Sequence, residues 1–166
     1  GKQMKLKAII LATGLINCIA FSAQAVDTTI TVTGNVLQRT CTTPKDINVP
    51  LGNLYTTDFP ATGSTSQWKT FSLSLTNCQN TGRVQASFAG TQDGSGYFAN
   101  NGSAGNIKIE IGDADVSSVT YGPNTIKTVS VQNNNATFNL KARAVSKGQV
   151  TPGDISSVIT VTYTYS

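Results

Sequence analysis

An all-β chain folded as an antiparallel sandwich is the architecture this sequence predicts. Three observations lead there: apolar and polar residues alternate with period two, helical period is sustained nowhere, and turn signals separate the alternating runs. The first run sets Thr28, Ile30, Val32, Gly34 and Val36 against Asp27, Thr29, Thr31, Thr33 and Asn35. A short candidate follows at 47–51, and then Phe71, Leu73 and Leu75 alternate with Ser72, Ser74 and Thr76. Further strands are predicted over 83–90, 106–112, 127–132, 136–145 and 155–165. Turns are predicted at 80–82, Asp93-Gly94, Asn101-Gly102, Gly122-Pro123, 133–135 and Pro152-Gly153, where Gly, Pro and Asn supply turn conformations cheaply. Short strands at regular spacing with Thr-rich outer faces fit a sandwich of immunoglobulin type. A closed barrel has less support, because no Gly or aromatic repeat recurs along the chain.

The chain ahead of these strands reads as an export leader. Lys5 and Lys7 follow Met4, an apolar run extends from Ala8 to Phe21, and Ala23-Gln24-Ala25 offers the small-x-small pattern of signal-peptidase cleavage. Gly14 and Asn17 interrupt the run, and about 20 apolar residues are needed to span a membrane. A leader at 1–25, with Met4 as the start, is the expectation. It changes the meaning of the charge. The 166 residues carry 12 Lys or Arg against 8 Asp or Glu, a net charge of +4. Lys2, Lys5 and Lys7 lie in the leader, so nine cations and eight acids remain, a net charge of +1. These nine cations are scattered along the chain, which predicts a solvated surface and no nucleic-acid partner.

The leader also contains Cys18, leaving Cys41 and Cys78 in an exported chain. An even count in an oxidising compartment predicts one disulfide. The sequence has no His, which removes Ser-His-Asp and Cys-His nucleophile systems and imidazole metal sites. No paired carboxylates stand at a persuasive spacing. Asp113 and Asp115 form a DxD pair, but six to eight oxygens are needed for Ca²⁺ and few further acids are near, so the pair reads as a polar turn. The glycine-rich 90–96 stretch lacks the Gly-Lys-Ser/Thr ending of a phosphate loop. Trp68 and the Tyr residues are expected among the buried aromatics of the sandwich, with a sugar-binding platform as the rival role. The reading is therefore of a non-enzyme with no cofactor, metal or small-molecule substrate.

The two ends of the predicted fold are the most informative. Ile159, Val161, Tyr163 and Tyr165 alternate with Thr160, Thr162 and Thr164, and the pattern ends at Ser166 without another turn or strand. A long uncharged terminal strand with an open edge is an aggregation hazard unless something pairs with it. At the other end, the 28–36 strand pattern precedes Cys41 and the body of the sandwich. Two readings are open: this segment folds into its own domain, or it fills the gap in another copy.

Cys41, Leu75-Thr76-Asn77-Cys78, Gly94-Ser95-Gly96-Tyr97, Asn106-Ile107, Gly153 and the ending Val161 to Ser166 with its penultimate Tyr165 together resemble the chaperone-usher pilins of Gram-negative bacteria. The likeness covers essentially the whole chain after the leader and is closest to FimG-type minor subunits of the type 1 fimbrial tip. The resemblance implies an incomplete immunoglobulin-like sandwich lacking its last strand, with an N-terminal donor-strand extension at 26–36 and a pilin domain at 37–166. It implies that Thr28, Ile30, Val32, Gly34 and Val36 enter a neighbour's groove. Gly153, Ile159, Val161, Tyr163, Tyr165 and Ser166 are then the acceptor groove or the face read by a chaperone. The implied partners are a periplasmic pilus chaperone, an outer-membrane usher and neighbouring fimbrial subunits, on a route through the periplasm to the cell-surface fimbrium. A major rod-forming subunit is the nearest competitor. A secreted monomeric carbohydrate-binding β-sandwich is the competitor from another class. A two-domain adhesin is disfavoured by length.

Overall fold

The computed structural model describes residues 27–166, so the predicted leader lies outside the described residues. Contacts divide the chain between Val36 and Leu37. Residues 27–36 form no strand, and their apolar side chains are bare: Ile30 is 84% and Val32 89% exposed. Period-two patterning makes a strand only where a second strand satisfies its backbone groups, and no described residue pairs with this segment.

From Leu37 onward the chain is a two-sheet sandwich. Its strands are β1 (Thr40–Thr42), β2 (Lys69–Gln79), β3 (Arg83–Ala89), β4 (Phe98–Ala99), β5 (Gly105–Asp113), β6 (Thr120–Tyr121), β7 (Thr125–Ser130), β8 (Ala136–Thr151) and β9 (Thr160–Tyr165). One sheet runs β1-β2-β8-β5-β4, with β6 also pairing β5, and the other runs β7-β3-β9. Every ladder between these strands is antiparallel.

The alternation seen in the sequence sets the two faces. Leu73 and Leu75 of β2, Phe138 and Leu140 of β8, Ile109 and Ile111 of β5, and Val84 and Phe88 of β3 turn inward into one core. Their Ser and Thr neighbours on β2 face solvent. Cys41 and Cys78 form the expected disulfide between adjacent strands β1 and β2, closing a separation of 37 residues. The predicted turns carry left-handed residues where the chain reverses, among them Asn80, Gly94, Asn133 and Asn134.

Four expectations need correction. Residues 47–51 make no strand, and the terminal strand begins only at Thr160, because 154–156 spend their backbone groups on the 100–104 loop. There Asn101 N donates to Ser156 O at 2.7 Å, Ala104 N to Asp154 O at 3.0 Å, and Ser156 N to Asn100 Oδ1 at 2.8 Å. Lys127 leaves the expected solvated surface: its side chain is 12% exposed and lies between the sheets. Trp68 is only half-buried and outside the core, stacked beneath Arg143 and Lys141, whose charged ends lie 4.0 and 4.4 Å from its ring.

Candidate strand-acceptor groove

Among the described residues β9 has one neighbour. Its ladder to β3 runs from Val84 opposite Tyr165 to Ala89 opposite Thr160, and no described strand pairs with its other edge. The final residue holds this ladder closed at its end, with Gly82 N and Arg83 N donating to Ser166 O at 2.8 and 2.9 Å. Along 155–165 every second residue is half-buried, namely Ile155, Ser157, Ile159, Val161, Tyr163 and Tyr165, and the intervening residues are exposed. Half-burial of an apolar row on the inward face means that the sandwich is not closed over it.

The opening is a cleft of about 290 Å³. One wall is the 155–161 segment with Ile155, Ile159 and Val161, and the other is the unpaired 47–51 segment with Ile47, Val49 and Leu51. Its floor is the core itself, including Phe71, Leu73, Phe88 and Leu140. The 47–51 wall is the partner that sequence patterning could not assign to the groove. The signal was present in the spacing of Ile47, Val49 and Leu51, but it was legible only as a strand.

Of the site residues expected from the sequence, Ile159 and Val161 line this cleft. Tyr163 and Tyr165 continue the same inward row toward the closed end, where Tyr163 stacks at 6.0 Å on Phe138. Burial, and then the neighbouring Tyr165, push the Tyr163 phenol above its usual range, so it is a neutral hydroxyl at any physiological pH. Gly153 stands apart from the cleft. It packs against the loop at Ser103 and Ala104, where any side chain would collide with that backbone, and this contact anchors the approach to β9. Thr28, Ile30, Val32, Gly34 and Val36 form an exposed row, and a Cβ at Gly34 would meet nothing.

The other polar constellation is structural. Asp113, which the sequence placed in a polar turn, is buried and fully satisfied at the end of β5. Its Oδ2 accepts from Lys127 Nζ at 2.7 Å and from the Tyr121 hydroxyl at 2.6 Å, while Oδ1 accepts from the backbone of Asp115 and Val116. Burial would raise its pKa, but these four donors outweigh it and hold the carboxyl well below the usual range. Burial, followed by Asp113 itself, raises Tyr121. No group of three or more candidate metal ligands occurs among the described residues.

A sandwich with an open cleft along one edge strand, in a chain that also carries an exposed strand-patterned segment, is a combination with known relatives. The family model described as "Fimbrial protein" matches residues 30–166. The chain belongs to that family. This fimbrial protein is 72% identical over 163 residues to the S-fimbrial adhesin protein SfaS of Escherichia coli O6:K15:H31 (strain 536 / UPEC), covering 98% of this chain and all of the relative. It is 40% identical to protein FimG of Escherichia coli (strain K12), covering 86% of this chain and 87% of FimG. Among solved structures, the P pilus rod subunit PapA superposes with a TM-score of 0.63 at 18% identity, over 76% of this chain and 99% of PapA. The CupB6 tip adhesin of Pseudomonas aeruginosa superposes at 0.67 and 19% identity, over 76% of this chain and 38% of the adhesin. The fold of this fimbrial protein is therefore the immunoglobulin-like pilin sandwich, and its role is that of a chaperone-usher type fimbrial subunit, not an enzyme.

Proposed function

We propose that this fimbrial subunit is a minor component of the fimbrial tip, linking the adhesin side to the rod by donor-strand complementation and exchange. The observation that carries the proposal is the apolar cleft beside the free edge of β9. An extended segment of ten residues spans about 33 Å, which suits the eleven-residue half-buried row at 155–165. On this reading Thr28, Ile30, Val32, Gly34 and Val36 enter the groove of the next subunit. Ile159, Val161, Tyr163 and Tyr165 receive the preceding subunit's strand, and Gly153 fixes the approach to that wall.

Burying Ile30, Val32 and Val36 would contribute roughly 5–9 kcal/mol before association costs, and the β9 backbone would gain hydrogen-bond partners. Gly34 fits a point where the incoming backbone passes close to the floor. Until exchange, a periplasmic chaperone fills the same groove and reads Ser166 at the end of β9, and an outer-membrane usher receives the complex. The FimG-like sequence stretches support the tip position rather than the rod.

The test uses a chain beginning at Leu37 and a peptide of residues 27–36. Peptide at a hundred times its dissociation constant should add about 2.7 kcal/mol of stability. A truncated chain that is monomeric, as stable as the longer one and indifferent to peptide would refute strand donation.

A second reading has its own support. SfaS carries the name adhesin and matches this chain end to end, so chain length does not separate adhesins from adaptors. The half-exposed Trp68, with Arg143 and Lys141 beside it as hydrogen-bond donors, is the surface a sugar would use. Loss of glycan-array binding in Trp68→Ala with unchanged fibre assembly would support this added role, and an array to which the native subunit shows no binding would dismiss it.

A further inference from the structure

The two sheets present several edges, and among the described residues these edges are defended unequally. In the larger sheet, β1 is three residues long, and β4 and β6 have two residues each. Edges this short give an incoming strand little to pair with. The smaller sheet ends in β7 and β9, which are both six residues long. Length alone does not distinguish them.

Charge does. β9 consists of Thr, Val and Tyr alone, whereas β7 has Lys127 near its centre. Lys127 lies opposite Ala86, so its side chain enters the same inward face as Val84 and Phe88. There its ammonium meets Asp113 of the opposite sheet at 2.7 Å, with the Tyr121 hydroxyl on the same carboxylate oxygen. A strand laid along β7 would extend the core across this ion pair and strip its remaining water without offering a replacement partner. Desolvating a pair in that way is costly, and an inward-facing charge is a recognised guard against edge pairing. A strand laid along β9 meets no charged side chain, and the cleft is ready to take its apolar row.

We propose that Lys127 is a specificity-determining residue for strand addition: it closes the β7 edge, so that an incoming strand pairs at β9 alone and subunits join in an unbranched line. The proposal rests on the reading that β9 accepts a strand.

Native mass spectrometry and light scattering on the full chain with excess 27–36 peptide test it. Wild type and Asp113→Asn, which keeps the inward cation, should each bind one peptide per chain. Lys127→Met should bind a second peptide or form peptide-saturated dimers. The double variant Lys127→Met/Asp113→Asn should behave like Lys127→Met, and it avoids stranding a buried carboxylate if the single variant fails to fold. One peptide per chain in every folded variant overturns the role of Lys127. So does a second peptide on Asp113→Asn, since loss of the pair rather than of the cation would then open the edge. A wild-type chain that binds no peptide defeats the acceptor reading, and this proposal with it.

Discussion

The ring of Tyr163 on β9 lies 6.0 Å from the ring of Phe138 on β8, tilted by 42°, and the pair joins the two sheets beyond the end of the open cleft. Phe138 is fully buried and Tyr163 half-buried, so the contact is the margin at which the closed sandwich gives way to the open cleft. Removing the Tyr163 ring should widen the groove toward the β2 side. Tyr163→Ala is expected to cost about 2–3 kcal/mol, below the full aromatic truncation range because the ring is only half covered. Tyr163→Phe should cost much less. Urea titration of the two variants measures the difference.

The Cys41–Cys78 bridge holds β1, a three-residue edge strand, to β2 across a separation of 37 residues. Reduction, or a Cys41→Ala/Cys78→Ala pair, should lower stability by about 2–5 kcal/mol. The m-value should change as well if the reduced unfolded chain expands. Unfolding in denaturant with and without reductant reads both quantities.

Asp113 gives the stability an acid limb. Its folded pKa lies below the unfolded value of about 3.9, so its contribution is complete above that value and is lost as pH falls from there toward the folded pKa. Acid titration of the unfolding free energy should fall more steeply in wild type than in Asp113→Asn below about pH 4. Parallel curves would mean that another carboxylate sets the limb.

Gly34 tests the donor register. A leucine there has open space around it in its own chain, so Gly34→Leu should leave the fold of its carrier intact. In a 27–36 peptide the same change should weaken groove binding by about 1–3 kcal/mol through overpacking. Calorimetry on wild-type and Gly34→Leu peptides gives the comparison.

Much of this architecture was legible in the sequence because burial writes a period of two. Leu73 and Leu75, Ile107 to Ile111 and Phe138 to Ala144 declare their strands and their inward faces by pattern alone. The residues that misled did so for one physical reason: alternation reports which face is apolar and says nothing about whether a neighbour exists to complete the ladder. Residues 28–36, 47–51 and 155–159 all carry the pattern, and none forms a strand. These three stretches bear on strand exchange, the first as the proposed donor and the other two as the walls of the cleft. Lys127 and Asp113 were invisible for a different reason. Their partnership spans 14 residues and the gap between two sheets, and nothing local distinguishes a buried charge from a solvated one.

Backbone hydrogen exchange along β9 tests the central claim most directly. With the full chain and saturating 27–36 peptide, amides of 160–165 that face the open edge should become strongly protected, together with slower exchange in the 47–51 wall. Those of β7 should not change. Exchange at 160–165 that is the same with and without peptide would contradict strand acceptance at this groove.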